Sequence, residues 1–260
     1  MTSRIQKIEN NVQDIHSVAW KKLCEYVDKV AQEEREEFSP LEELGQELFS
    51  QIYTLPESIS KLKKVKKVWL YGSNLKRIPP EVGQMKSLEY FDPYTSYSLH
   101  WFPYEITRCK NLKDSRVSTR ALYGNYKNRM GFPDLMNNPV RYSGETVHCS
   151  ICDKSMSYEE TNQAWISLRV GSDVLPLLAN LCSTECKDKL PKPSEGYIQF
   201  PHKGGSVVKQ LPDEDETFEL EMMQQDKEGD IPTESTKEDD KASGNEKPVL
   251  LKLIRKLWKK

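Results

Sequence analysis

The chain contains no apolar run approaching the roughly 20 residues that a helical bilayer span requires, so no membrane-crossing helix is expected. Its opening, Met1 to Asn11, places Asn and Glu where a signal peptide needs an apolar stretch. A cytoplasmic location is therefore expected. Histidine is scarce, with four in 260 residues. There is no Walker loop, no His-Glu-x-x-His and no Ser-His-Asp logic, so the sequence offers no enzyme active site. Phosphate neutralisation demands clustered Lys and Arg, whereas the chain has net charge −2 and its residues 1–202 come to about +1. DNA binding through a broad basic surface is not expected.

Hydrophobic residues make up 37 % and charged residues 30 % of the chain, a soluble balance with room for one large domain or two small ones. Charge is laid out unevenly. Residues 203–247 hold 14 acidic and 6 basic residues, whereas residues 248–260 hold five basic residues and no acid, which leaves residues 1–202 at about +1. The acidic stretch is poor in aromatics and carries Gly204-Gly205, Pro212 and Pro232. It cannot bury enough surface to offset chain entropy and is expected to be a disordered linker. Residues 248–260 then form a basic amphipathic helix with Leu250, Leu253, Ile254, Leu257 and Trp258 on one side. That is the composition of an interfacial helix for weak membrane-surface or protein docking. Folding back onto the chain's own acidic linker is the alternative.

At the other end, Ile5, Ile8, Val12, Ile15, Ala19, Leu23, Val27 and Val30 recur at helical spacing and predict an amphipathic helix of about seven turns. A second helix begins at Ser39-Pro40, with Glu42 and Glu43 at its positive end and Leu41, Leu44, Leu48 and Ile52 on one face. Residues 1–54 are thus placed to cap a neighbouring array. Leu55-Pro56-Glu57-Ser58-Ile59 returns as Ile78-Pro79-Pro80-Glu81-Val82 after 23 residues, and as Phe102-Pro103-Tyr104-Glu105-Ile106 after 24 more. Val65, Leu88 and Leu112 keep the same phase. A fixed period with apolar residues in register is the signature of a solenoid. The pattern decays at Pro93, Ser115 and Val117, and the phrase Phe132-Pro133-Asp134-Leu135 comes after an insertion.

These phrases, with Val65-x-x-Val68-x-Leu70-x-x-Ser73-x-Leu75, resemble the leucine-rich repeat in its intracellular LPxxI form. The resemblance implies an α/β fold: a short solenoid of about three and a half repeats over residues 55–142, with a parallel sheet on its concave face. So few repeats need good caps.

Six cysteines in a cytoplasmic chain read as thiols or metal ligands before disulfides. Cys24 and Cys109 are expected to be small core residues. Cys149-x2-Cys152 and Cys182-x3-Cys186 form two close pairs, and four thiolates suit tetrahedral structural zinc. Two disulfides are the alternative. Between the pairs, Trp165 to Val170, the turn Gly171-Ser172-Asp173 and Val174 to Ala179 predict a hairpin. Residues 143–202 therefore resemble a small α+β treble-clef finger, with the last ligands on the first turn of a helix. Four cysteines leave zinc no open position for catalysis. His148 and His202 are the candidates for a substituted ligand. Across residues 1–202 the combination resembles leucine-rich repeat proteins that carry this cysteine module, which implies no activity to transfer.

Side chains alternating with the buried repeat positions fall into three rows: Lys67, Tyr90 and Asp114; Trp69, Asp92 and Arg116; Tyr71, Tyr94 and Ser118. Exposed aromatics with Arg are the types enriched at protein-binding hot spots, so a protein partner is expected on this face. Arg116, Ser118, Thr119, Arg120, Tyr123, Asn125, Tyr126 and Lys127 in the insertion either tie a long loop down or form an anion pocket. The expected function is non-catalytic protein binding. The alternatives are a ubiquitin-ligase-type effector, for which Cys152-Asp153 matches part of a Cys-x-Asp motif, and nucleic-acid binding through the finger.

Overall fold

A computed structural model of the chain describes residues 12–136, 139–142 and 144–228. Helix α1 (Val18–Gln32) starts where the Ser17 hydroxyl accepts the Trp20 N–H at 3.2 Å, pairing one of the donors that a helix start leaves open. Ala19, Leu23, Tyr26, Val27 and Val30 are its buried stripe. The longer helix expected from Ile5 is corrected here. Val12 is 87 % and Ile15 53 % exposed, and Asp14 takes the His16 N–H on its side chain, a local bond that competes with helix. Ile5 and Ile8 lie outside the described residues.

A two-residue strand, β1 (Glu37–Phe38), precedes helix α2 (Pro40–Phe49), which Gly45, at φ 74°, divides into two helical pieces. Ser39 does not cap α2 with its side chain; its N–H is donated to the Tyr26 hydroxyl at 3.1 Å. Strands β2 (Lys67–Trp69) and β3 (Tyr90–Asp92) come next, then β4 (Phe102–Pro103) and β5 (Asp114–Ser115). A parallel sheet runs in the order β1-β2-β3-β5, with Lys67 opposite Tyr90 and Tyr90 opposite Asp114. The strands alternate along the chain with 3-10 turns, each entered from a proline: Glu57–Lys61, Pro80–Gln84 and Tyr104–Arg108. Successive turns stack on one another. Their contact is close at Gly83, where a Cβ would stand 2.6 Å from the Glu105 carbonyl oxygen.

Beyond the insertion come the antiparallel pair β6 (Thr146–His148) and β7 (Ser155–Ser157), then the long hairpin β8 (Asn162–Val170) and β9 (Asp173–Leu181). The finger region, expected to seal the end of the preceding array, is joined to it through this hairpin. β9 pairs in parallel with β4, Phe102 opposite Leu177, in a mixed three-stranded sheet. Ile166, Leu168, Val170, Leu175 and Leu177 complete the core that begins at α1. Trp165 and Leu178, on the opposite face as strand alternation requires, join Trp101, Tyr123, Phe132 and Val140 in a second cluster. A run of nine mostly buried residues per strand needs cover on both faces, and the repeats supply one of them.

The hairpin tip also meets the last parallel strand. Ser115 donates its hydroxyl to the Val170 carbonyl at 2.8 Å and its N–H to Ser172 Oγ at 3.1 Å. Gly171, at φ 61°, brings its Cα so close that a Cβ would lie 2.9 Å from Ser115 Oγ. The free edge of β5 is covered there, one way that proteins guard a sheet edge.

Residues 203–247, expected to be disordered, differ over their described part. The Leu135 N–H is donated to the Lys203 carbonyl and the Gly205 N–H to that of Phe132. Gly204, at φ 77°, passes so near Pro133 that a Cβ would stand 1.9 Å from its carbonyl oxygen. Backbone bonding, which composition does not register, holds this segment. Helix α3 (Thr184–Asp188) lies before it, and helix α4 (Glu214–Glu228) within it. α4 opens on a reciprocal capping box between Asp213 and Glu216. The unit up to Leu220 contains every element but the end of α4. The amphipathic helix expected over 248–260 lies outside the described residues.

Candidate functional site

Two features carry chemistry. The first is the four-cysteine cluster. β6 and β7 hold a knuckle in which the Cys149 N–H is donated to the Lys154 carbonyl at 2.8 Å and the Asp153 N–H to the Cys149 carbonyl at 3.0 Å. Asp153 turns the chain back at φ 64°. Asp tolerates the left-handed region better than most residues. The second pair straddles the start of α3: Cys182 comes directly after β9, and the Ser183 hydroxyl accepts the Cys186 N–H at 3.2 Å. All four sulfurs lie within 4.8 Å of one another. Cys152 and Cys182 are 3.5 Å apart and Cys182 and Cys186 3.6 Å. Ligands about 2.3 Å from a tetrahedral ion stand at roughly 3.8 Å from each other, so the cluster has the dimensions to hold a metal ion. All six cysteines are free thiols, and no disulfide forms.

Charge within the cluster is graded. Burial pushes the Cys149 thiol up, but the N–H groups of Cys152, Ile151 and Cys182 outweigh it and hold the thiol at about 6. Hydrogen bonds with Cys152 and Cys186 push Cys182 up to about 12. Successive thiolates so close together repel, and a cation among them removes that penalty. Neither candidate histidine belongs to the group. His148 is exposed and sets Nδ1 2.9 Å from the Asp153 carbonyl, bracing the knuckle. His202 is 6 % exposed and stacks edge-on to Phe132, where burial holds it down at about 4. Of the lone cysteines, Cys109 is buried and donates to the Val82 carbonyl, with burial pushing it up to about 11. Cys24 is half-buried.

The second feature is the outer face of the parallel sheet. Trp69 and Tyr90 pack at 4.9 Å between ring centroids, and Tyr71 and Tyr94 at 6.1 Å. Arg116 lies over the Tyr94 ring at 4.6 Å and pairs with Asp92 at 3.6 Å. Tyr71 and Tyr94 are 50 % and 38 % exposed, and Lys67 and Arg116 are exposed with them. Three of the nine expected residues serve the fold as well. Asp92 is 2 % exposed and is used up by the Tyr90 hydroxyl and the Tyr94 N–H. Ser118 accepts the Thr95 N–H at 2.8 Å, and Asp114 takes the Ser172 hydroxyl at 3.1 Å.

Glu37 joins this face with no sequence signal to announce it. It accepts from Lys67 Nζ at 2.9 Å and from the Trp69 indole N–H at 3.1 Å, and these two bonds hold its carboxyl below the usual range. A strand of two residues between helices leaves no periodic trace.

In the insertion, Asn125 donates to the Leu122 carbonyl and accepts from the N–H groups of Lys127 and Asn128. Leu122 and Tyr123 are buried beside it. Asn125 thus bonds the loop to itself, while the Thr95 N–H donated to Ser118 and the Tyr123 N–H donated to the His100 carbonyl link the insertion to the segment before it. No family model matches the chain, and no curated protein matches its sequence.

Proposed function

We propose that this chain is a non-catalytic binding protein: a short leucine-rich repeat solenoid that takes a protein partner on its parallel-strand face and is stapled at its C-terminal end by structural zinc. The observation that carries the reading is the pair of ring contacts in strand register, Trp69–Tyr90 and Tyr71–Tyr94, with Arg116 laid across the second. Rings already packed on one another lose little side-chain freedom when a partner covers them, which is the property of hot-spot residues. Register at 23 and 24 residues supports the repeat assignment. For the metal, the four-sulfur donor set selects zinc over hard cations, and four thiolates close its coordination. Cys152 is then a ligand and not the nucleophile of a ligase.

The test is affinity purification with the wild-type chain and with Trp69→Ala, Tyr90→Ala and Arg116→Ala combined. The triple variant should keep its far-UV circular dichroism, at a lowered thermal midpoint because buried Asp92 loses Tyr90 and Arg116, and lose partners that the wild type retains. Persistence of the same partners through all three changes would refute the assignment of this face.

No helix among the described residues is long and apolar enough to cross a membrane. The basic segment 248–260 is proposed to tether the chain weakly to an anionic membrane surface. Liposome flotation of the full chain against a 1–247 truncation decides this, and equal flotation of both removes the tether.

A further inference from the structure

The acidic residue in each repeat phrase recurs at one edge of the stack. Glu57, Glu81 and Glu105 stand at intervals of 24 residues, each in the first turn of its own 3-10 segment. Together with Arg108, Tyr142 and His148 they line one cleft of about 360 Å³, a volume within the usual range for small-ligand sites. Their carboxylates feel one another: after burial, Glu57 contributes to raising Glu81, and Glu81 contributes to raising Glu105, which reaches about 7.

Three polar atoms in this cleft, two carboxylate oxygens and a phenol, are left without partners among the described residues. Glu105 is 3 % exposed. Its Oε1 takes the Ser150 hydroxyl at 2.6 Å, while its Oε2 has no partner among the described residues. Glu81 Oε2 and the Tyr142 hydroxyl are likewise buried and unpaired. The cation on the cleft wall is committed elsewhere, for Arg108 donates to the Ser150 carbonyl at 3.0 Å and faces Asp153 at 3.7 Å. Folds rarely tolerate one buried carboxylate oxygen without a donor. Two of them and a phenol on a single cleft make a site whose missing partner carries N–H groups and positive charge.

We propose that this cleft binds an organic cation, the ammonium or guanidinium head of a small molecule or of a Lys or Arg side chain, with Glu81 and Glu105 as its acceptors. A planar guanidinium offers parallel donors to the two carboxylates, and an ammonium offers three. A divalent metal suits the cleft less well. It needs six or more oxygens drawn in to about 2.0–2.6 Å.

The experiment titrates the full chain calorimetrically with ethylguanidinium, n-butylammonium and the neutral isostere butylurea. It also uses the blocked amides of arginine and lysine, and Ca²⁺ alone. At least one cation should bind at least about tenfold more tightly than butylurea, and Glu105→Gln should weaken that binding about tenfold or more. Zinc content should stay at the wild-type value in the variant. Glu81→Gln, at a less buried position, is measured in parallel, so a folding defect in Glu105→Gln leaves the proposal open to refutation. Tighter binding of the blocked amino acids assigns the cation to a partner's side chain, and comparable binding of the simple amines assigns it to a free metabolite. Butylurea binding as tightly as the cations, affinity unchanged in both variants, or Ca²⁺ displacing the cations at equal concentration would each overturn it.

Discussion

Truncating Leu177 to Ala asks whether the β8–β9 hairpin and the parallel sheet with its 3-10 turns share a single folded core. Leu177 is 0 % exposed, lies opposite Phe102 on one side and Ile166 on the other, and belongs to the cluster that starts at α1. A buried Leu→Ala change costs roughly 2.7–5 kcal/mol, a transfer contribution plus one for the cavity left behind. Backbone pairing on both sides prevents the walls from closing in, so the cost belongs in the upper half of that range, about 4 kcal/mol. For a unit of this size each kcal/mol lowers the midpoint by roughly 2–4 °C, a fall of about 8–16 °C. Urea unfolding followed in parallel by far-UV circular dichroism and tryptophan fluorescence is the assay. Trp69 reports from β2, and Trp101 and Trp165 from the second cluster. Both probes should trace one transition, displaced together. The exposed control Arg169→Ala should stay within about 0.5 kcal/mol of wild type. A biphasic melt, with fluorescence lost early and the dichroism transition unmoved, would show that the hairpin is separable and the reasoning wrong.

If the four cysteines hold the proposed zinc, Cys182→Ser should lose it and lower the thermal midpoint of the whole unit, because Cys182 comes directly after β9. Metal content measured after dialysis checks this, and a value equal to wild type sinks it. Gly204→Ala should cost at least about 2 kcal/mol, since φ is 77° and a Cβ would stand 1.9 Å from the Pro133 carbonyl oxygen. Gly196→Ala, with φ 78° and open space, should cost distinctly less, and equal losses from the two would refute the steric account. Burial depresses His202 to about 4 in the folded protein, whereas the unfolded chain protonates near 6.5. Stability from this group is therefore fully present above about pH 6.5 and declines as pH falls toward 4, by about 3 kcal/mol at most. Urea midpoints across that window should fall less steeply for His202→Leu, and identical slopes would remove His202 as the cause.

What the sequence made legible were features that repeat or alternate locally. The 23- and 24-residue spacing places Lys67, Tyr90 and Asp114 in one row, and the strands pair in that register. The alternation from Trp165 to Ala179 marks the hairpin, and the Cys-x2-Cys and Cys-x3-Cys pairs bring together four sulfurs able to hold a metal ion. What stayed hidden depends on contacts between distant segments. Glu37–Phe38 is too short to show a period, and it becomes a strand only because β2 offers it an edge. Phe102-Pro103 has the form of an ordinary repeat phrase, and nothing local says that it also pairs with β9. Gly204-Gly205 has the composition of a linker, yet both glycines have positive φ against Pro133 and Asp134. The helical phase misleads at Val12 and Ile15, because periodicity does not reveal whether a core lies within reach.

The same distinction bears on what the metal does. The first cysteine pair is joined to the Tyr104–Arg108 turn by two links, Ser150 on Glu105 and Asp153 on Arg108. Ser150 donates its hydroxyl to Glu105, accepts the Asn180 N–H on that hydroxyl, and donates its own N–H to the Asn180 carbonyl. Asn180 in turn accepts from Gln163 at 2.9 Å, and Gln163 bonds both backbone groups of Val140. All of these residues are buried, so the chain of bonds is costly to break at any point. A metal ion that fixes the knuckle fixes Ser150, and Ser150 sets one oxygen of Glu105 and leaves the other facing the cleft. A finger separate from the repeats could lose its metal and leave their shape untouched. In this chain buried hydrogen bonds run from Ser150, next to Cys149, to Glu105 of the Tyr104–Arg108 turn, so a disturbance of the knuckle is carried to the acidic cleft.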